Sequence, residues 1–257
     1  MTYKKTLLIP YITAGFPSKK LFVPILKELS QNGADFIEVG VPHSDPLADG
    51  PTIQNASKIA LNNGVNLKWI LETCHTIQTS KKQIKPFKPL ILFSYFNPLL
   101  QYGFEKLLKD LPKPLFHGLI IPDLPPEEAQ KYLPLFKKHN LNLILLASIT
   151  SSKKRLEKIA SLSTSFIYLV SVVGVTGIRS HLSKELKSKI KELKAITNKP
   201  IIVGFGISSA KQASKIISHG ASGIVIGSII IKSLEKKKTL SSFKRFINKF
   251  RASLNLN

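Results

Sequence analysis

Phe36-Ile37-Glu38-Val39-Gly40-Val41 is apolar throughout except for one carboxylate, and Pro42-His43-Ser44-Asp45-Pro46-Leu47-Ala48-Asp49-Gly50-Pro51 follows at once. A short run with no polar face reads as a strand buried on both sides, as in a parallel sheet. The Pro, Gly and Asp residues after it make a turn-rich loop. Outward from here the pattern recurs. Apolar runs fall at 7–14, 36–41, 90–95, 118–121, 143–147, 166–171, 201–204 and 223–226, eight in all. Amphipathic stretches at 19–31, 127–139, 184–195 and 209–218 lie between them, with 241–250 after the last run. Ser18, Ser151, Ser183 and Ser208 are placed as helix N-caps, and Gly33 and Gly220 as C-terminal caps. An extra helix is expected over 67–79, and the tail from residue 253 is expected to fray.

Eight β runs, each followed by a helical stretch, in 257 residues is the arithmetic of a single (β/α)8 TIM barrel with extra helices, one domain over 1–257. A doubly wound open sheet shows the same alternation, because periodicity does not report closure. No apolar run is long enough to span a membrane or form a signal-peptide core. The lone Cys74 cannot form an internal disulfide, so a reducing compartment, the cytoplasm or an organelle stroma, is expected. The net charge of +23 invites a nucleic-acid reading, but only four of the 38 basic residues are Arg (Arg155, Arg179, Arg245, Arg251). Arg is the usual group for bidentate phosphate and base contacts. The lysines are also spread along the chain, so a general lysine bias is preferred over nucleic-acid binding. The six histidines show no metal-ligand spacing, and no metal is expected.

In a barrel the chemistry sits where strands end. Glu38 lies inside an apolar strand, where a carboxylate is costly unless it has a task or a partner. Desolvation suits it to acid/base work near neutrality; a buried ion pair with a core lysine is the other reading. Asp45 and Asp49 follow, serving either substrate or turn and capping chemistry. Asp123, after the fourth run, contacts substrate or prepares the next helix. Tyr168 points into a pocket or packs in the core. Gly174-Val175-Thr176-Gly177, after the sixth run, has the make-up of a mobile lid. Gly204-Phe205-Gly206 and Gly227-Ser228 end the seventh and eighth runs, where barrels commonly hold a phosphate on backbone N–H groups; tight turns also require glycine there. These residues describe a cofactor-free enzyme of phosphorylated metabolites.

The same residues resemble the tryptophan synthase α subunit family, over nearly the whole chain from Pro10-Tyr11-Ile12-Thr13-Ala14-Gly15 to Gly227-Ser228. The segment from Glu38 to Gln54 is the most specific block. Tyr95-Phe96-Asn97-Pro98, Ile121-Pro122-Asp123-Leu124-Pro125, Gly174-Val175-Thr176-Gly177 and Gly204-Phe205-Gly206-Ile207-Ser208 support it. The resemblance implies retro-aldol cleavage of indole-3-glycerol phosphate to indole and glyceraldehyde 3-phosphate. It implies an α2β2 complex in which the β subunit, not this chain, holds pyridoxal phosphate. It assigns acid/base work to Glu38, the indole N–H to Asp49 and the glycerol portion to Tyr168. Tyr11, Phe93 and Tyr95 would line the indole pocket, and Asp123 joins the substrate-binding set. Thr176 would meet Asp49 on lid closure, and Gly177, Gly206, Gly227 and Ser228 would bind phosphate. Segments around Asp45, Asn97 and Pro98 resemble the surface for the β subunit. Family members commonly have Gly-Asp-Pro where this chain has Gly15-Phe16-Pro17, Phe where it has His43, and Ser-Arg where it has Ser171-Val172, with Val173 next. A helix that covers the lower end of the barrel is expected to be missing or reduced. These departures define the alternative, a catalytically impaired subunit serving as an allosteric or structural partner. Another phosphate-binding barrel, such as an isomerase, fits the strand-two loop poorly.

Overall fold

The computed structural model describes residues 5–80, 87–171, 179–204, 206–236 and 240–254. Its strands, all parallel where they pair, are β1 (Leu7–Thr13), β2 (Ile37–Gly40), β3 (Leu90–Phe93), β4 (Phe116–Ile120), β5 (Asn142–Ile144), β6 (Leu146–Ser148), β7 (Ile167–Val170), β8 (Ile201–Gly204) and β9 (Gly223–Ile226). The sheet order is β5-β4-β3-β2-β1-β9-β8-β7-β6. Sequence neighbours are therefore spatial neighbours all the way round, and the first strand pairs with the last, as a (β/α)8 barrel requires. An open doubly wound sheet would place the first strand inside the order, with no pairing to the last.

The sheet counts nine strands where eight runs were expected, because the fifth run is broken at Leu145. Its first half, β5, pairs with β4, and its second half, β6, pairs with β7. At the break the Leu145 amide donates to Ser163 Oγ, and its carbonyl accepts from the Tyr168 amide. The break turns the backbone's hydrogen bonds from one neighbour to the other. Every residue of β1, β2, β3, β8 and β9 is buried, as expected for strands with side chains inside and helices outside.

Two of the helices keep the expected bounds, the first of them running on through Pro24. Lys19–Gln31 and Leu67–Thr79 fall where expected. Gly33 and Gly220 take φ of 109° and 98° just past helix ends, a backbone region that glycine enters without steric cost. The single helix expected over 127–139 is instead Pro126–Ala129, a 3₁₀ turn at Gln130–Tyr132, and Leu133–Lys138. Pro134 lacks an N–H and disfavours the helical conformation of the residue before it. Two N-caps shift by one residue: Ser152 and Ser209, not Ser151 and Ser208, accept from Arg155 and Gln212 amides. Ser18 holds the cap position without a side-chain bond, and Ser183 lies inside the helix Arg179–Ile196 rather than before it. The last helix, Leu240–Leu254, outruns the expected fraying point: Leu254 is buried and the Ser253 carbonyl accepts from Ser214.

That last helix is tied to the lower end of the barrel. Asp35 accepts from the Leu8 amide at 3.0 Å and pairs with Arg251 at 3.2 Å and Lys5 at 2.6 Å. Arg251 also donates to the Thr6 carbonyl. Phe16, one of the unusual residues, is fully buried in the core. Val172, Val173, Thr176 and Gly177, with the rest of the expected lid, lie outside the described residues.

Candidate functional site

The upper ends of the strands open into a cleft of about 510 Å³ lined by Tyr11, Glu38, Asp49, Gly50, Ile53, Phe93, Tyr168, Gly206, Ile207, Val225, Gly227 and Ser228. Eight residues singled out in the sequence come together here: Glu38, Asp49, Tyr168, Tyr11, Phe93, Gly206, Gly227 and Ser228. Ile53, Ile207 and Val225 also line it, and no sequence signal separates them from ordinary core positions.

Glu38 is fully buried, and neither carboxylate oxygen has a hydrogen-bond partner. The core lysine that would make it a structural ion pair is absent among the described residues. Burial raises its pKa well above the usual carboxylate range, because the charged form loses water without gaining a donor. Its strand partners are Tyr11 on β1 and Ile91 on β3.

Asp49 sits lower in cost and nearer the mouth. Burial pushes its pKa up to about 6, and the hydrogen bond from Tyr95 pulls it back. Tyr95 Oη donates to Asp49 Oδ2 at 3.3 Å and accepts from the Ala48 amide at 2.8 Å. His43 stacks on the same ring, with centroids 4.9 Å apart and planes 30° apart. Tyr95 therefore braces the loop that carries Asp49 instead of lining the cleft. Asp123 is also outside the lining: both its oxygens accept from the Phe96 amide, at 2.9 and 3.1 Å, which fixes the first turn of the helix Phe96–Tyr102.

Two tyrosines reach across their neighbouring strands. A Cβ on Gly40 would overlap the Tyr11 hydroxyl, and one on Gly204 would overlap the Tyr168 hydroxyl. Glycine at these two strand ends is the space each ring occupies. Both phenols have pKa values raised, first by burial and then by the carboxylates Glu38 and Asp49, so both keep their protons at working pH. Tyr11 and Phe93 meet edge to face, 5.6 Å between centroids, forming an aromatic wall beside Asp49.

The wall next to Tyr11 is backbone, with Gly227 packed against the Tyr11 ring. The helix Ser228–Lys236 begins at the cleft, and the Ile230 and Ile231 amides return to the Gly227 carbonyl at 2.8 and 3.0 Å. The first amides of this helix have no partner inside it and carry the positive end of its dipole. Gly206, at φ 74°, faces them from the neighbouring loop. The cleft thus offers a buried carboxyl whose acid form is favoured, a second carboxyl nearer the mouth, an aromatic wall and an anion cradle. No group of three or more His, Cys, Asp or Glu able to hold a metal occurs among the described residues, and no described helix is long and apolar enough to cross a membrane.

Comparison with known proteins gives one consistent result. The family model described as tryptophan synthase alpha chain matches residues 1–254. The chain is 44% identical over 232 residues to the tryptophan synthase alpha chain of Prochlorococcus marinus (strain SARG), covering 90% of this chain and 85% of that one. It is 44% identical over 231 residues to that of Pyropia yezoensis, covering 90% and 86%. The tryptophan synthase subunit alpha of Legionella pneumophila superposes with a TM-score of 0.86 at 32% identity, covering 98% of this chain and 94% of that one.

Proposed function

The chain belongs to the tryptophan synthase alpha chain family, and from that premise we propose how its cleft carries out the family's lyase reaction, the cleavage of indole-3-glycerol phosphate to indole and glyceraldehyde 3-phosphate. The indole carbanion is a poor leaving group, so the ring must first be protonated at C3. Glu38, held protonated by burial, delivers that proton and leaves an indolenine whose C=N accepts the electron pair of the breaking C–C bond. Asp49, ionised above about pH 6, accepts the indole N–H and stabilises the positive charge on nitrogen. Glu38, now a carboxylate, takes the proton from the glycerol hydroxyl as it becomes the aldehyde. One residue thus acts as acid and then as base, with no net change in its protonation.

The aromatic wall of Tyr11 and Phe93 packs on the indole, and Tyr168 faces the glycerol portion. The phosphate lies on the amides at Gly206, Gly227 and Ser228, the arrangement that favours an anion at a helix N-terminus. Thr176 and Gly177 are assigned to lid closure and phosphate binding on resemblance alone. Asp123 acts at the rim through the helix Phe96–Tyr102. The chain needs no cofactor of its own. Its partner is a β subunit, in an α2β2 assembly, that holds the pyridoxal phosphate and receives the indole. Leu47 (84% exposed) and Leu100 (48% exposed), on the two segments that Tyr95 joins, supply apolar contacts for that partner. The cytoplasm or an organelle stroma is the proposed location.

The observation that carries this reading is Glu38, a fully buried carboxyl with neither oxygen paired, lining the same cleft as Asp49 and a glycine-flanked helix N-terminus. The test is indole release by wild type and Glu38→Gln. Loss of turnover with folding intact supports the assignment; retained turnover rejects Glu38 as the acid/base group.

A further inference from the structure

We propose that Thr13 and Tyr11 on β1 supply the hydrogen bonds that Glu38 requires when it carries charge, with Tyr11 donating to the carboxylate and Thr13 donating to the Tyr11 oxygen. The proposal rests on the lyase reading, in which Glu38 gives up its proton during each turnover. A carboxylate formed at a fully buried position must find a donor.

The strand register limits where that donor can come from. On the β3 side Glu38 faces Ile91, which has no polar atom to offer. On the β1 side it faces Tyr11. Thr13 is two residues further along β1 and so shares the inward face of Tyr11. Its own register partner is Gly40, and the Tyr11 hydroxyl lies over that glycine. The Tyr11 ring therefore leans from β1 onto the strand that carries Glu38, and brings its hydroxyl level with Thr13. The other ionisable groups acting at this point are Asp49, from the loop after β2, Tyr95, which bonds Asp49, and Tyr168, across the barrel on β7.

The unpartnered atoms point the same way. Thr13 is fully buried and its hydroxyl has no hydrogen-bond partner, as is true of both Glu38 oxygens. Buried polar atoms are nearly always satisfied, so two orphaned groups on the inward face of adjacent strands, two residues apart in register, call for a common cause. The charged form of Glu38 provides it. The Thr13 hydroxyl lies near enough to Tyr11 to act against the rise in its pKa, yet falls short of hydrogen-bond geometry. A donor chain from Thr13 to Tyr11 to Glu38 gives Thr13, Tyr11 and one Glu38 oxygen a partner once the carboxyl ionises. Thr13 is then a positioning residue, acting through Tyr11.

The test is the titration of the Glu38 carboxyl by carbon-13 NMR on glutamate-labelled protein, assigned by its absence in Glu38→Gln, together with the pH dependence of kcat for indole release. Tyr11→Phe and Thr13→Val keep the shapes of the side chains and remove the hydroxyls. Both are expected to move the Glu38 titration to higher pH, and with it the basic limb of kcat, where the proton that Glu38 delivers is lost. Tyr11→Phe should lower kcat near neutrality about tenfold, equivalent to ~1.4 kcal/mol in the barrier, with KM within about twofold. Thr13→Val should act in the same direction to a smaller extent, and Thr13→Ser should restore wild-type behaviour. Unchanged titration in both hydroxyl-deleted variants overturns the proposal, as does a change confined to KM. A wild type that releases no indole contradicts the lyase reading, and the NMR titration then decides the hydrogen bonding on its own.

Discussion

Replacing Glu38 by Met should stabilise the protein while abolishing cleavage. Glu38 is 0% exposed and both its oxygens lack partners. An unsatisfied buried polar group costs about 1–3 kcal/mol. Met has nearly the volume of Glu and an unbranched stem, so the change neither opens a cavity nor overpacks the site. The expected gain is therefore about 1–3 kcal/mol, which for a domain of this size raises Tm by roughly 2–6 °C. The gain should also grow with pH. The folded pKa of Glu38 is raised, so above the unfolded value the native state holds a proton that the unfolded chain has lost. That contribution is fully present below the unfolded pKa and is lost as pH rises, at up to about 1.4 kcal/mol per pH unit, until the raised folded value is passed. The Met variant lacks this loss. Urea unfolding at pH 6, 7 and 8, with indole release measured in parallel, checks both parts. A variant destabilised by more than about 1 kcal/mol at pH 8 would refute the reasoning, because it would mean that the carboxyl is satisfied in the native state.

Other perturbations separate the parts of the site. Tyr95→Phe removes the hydrogen bond to Asp49 and the acceptor for the Ala48 amide. It should cost about 1 kcal/mol of stability and raise the pKa of Asp49 above about 6, moving the acidic limb of kcat/KM upward in a pH profile. Asp49→Asn should keep the fold, remove the charge that meets the indole N–H, and lower kcat/KM by about a hundredfold or more in steady-state assays. Gly40→Ala places a methyl group on the Tyr11 hydroxyl; it should cost about 1–3 kcal/mol by chemical denaturation and weaken substrate binding. Arg251→Ala leaves Asp35 with a lost partner at the lower end of the barrel. Stability should fall by about 1–2 kcal/mol, because Asp35 keeps Lys5 and the Leu8 amide, with kcat unchanged, a separation visible by pairing unfolding curves with activity.

The barrel was legible in the sequence because its strands are buried on both sides and its helices are amphipathic, so two different periodicities alternate along the chain. Closure was not legible, since it depends on β1 meeting β9, a pairing between the two ends of the chain. The break at Leu145 was hidden for a related reason: every residue there is apolar on either side of the kink. Pro134, by contrast, was visible in the sequence, and its effect on the helix follows from its missing N–H. At the site, Glu38 stood out as a carboxylate in an apolar strand, and glycines marked two strand ends. Asp123 and Tyr95 were assigned to substrate, and the structure shows each also bonded to a backbone amide, of Phe96 and Ala48. A side chain at a strand end can face the ligand or brace a loop, and composition does not distinguish the two. Ile53, Ile207 and Val225 line the cleft but carry no polar atom to mark them. The orphaned hydroxyl of Thr13 becomes apparent only when its neighbours are known.

The central claim is that this cleft cleaves indole-3-glycerol phosphate through Glu38. The most direct measurement is the release of indole and glyceraldehyde 3-phosphate from that substrate, by wild type and by Glu38→Gln, each alone and with saturating β subunit. Wild type should release equal amounts of the two products at a rate that rises with the partner, and the variant none above background. Absence of indole from wild type with the partner present, or turnover retained by Glu38→Gln, would contradict the claim.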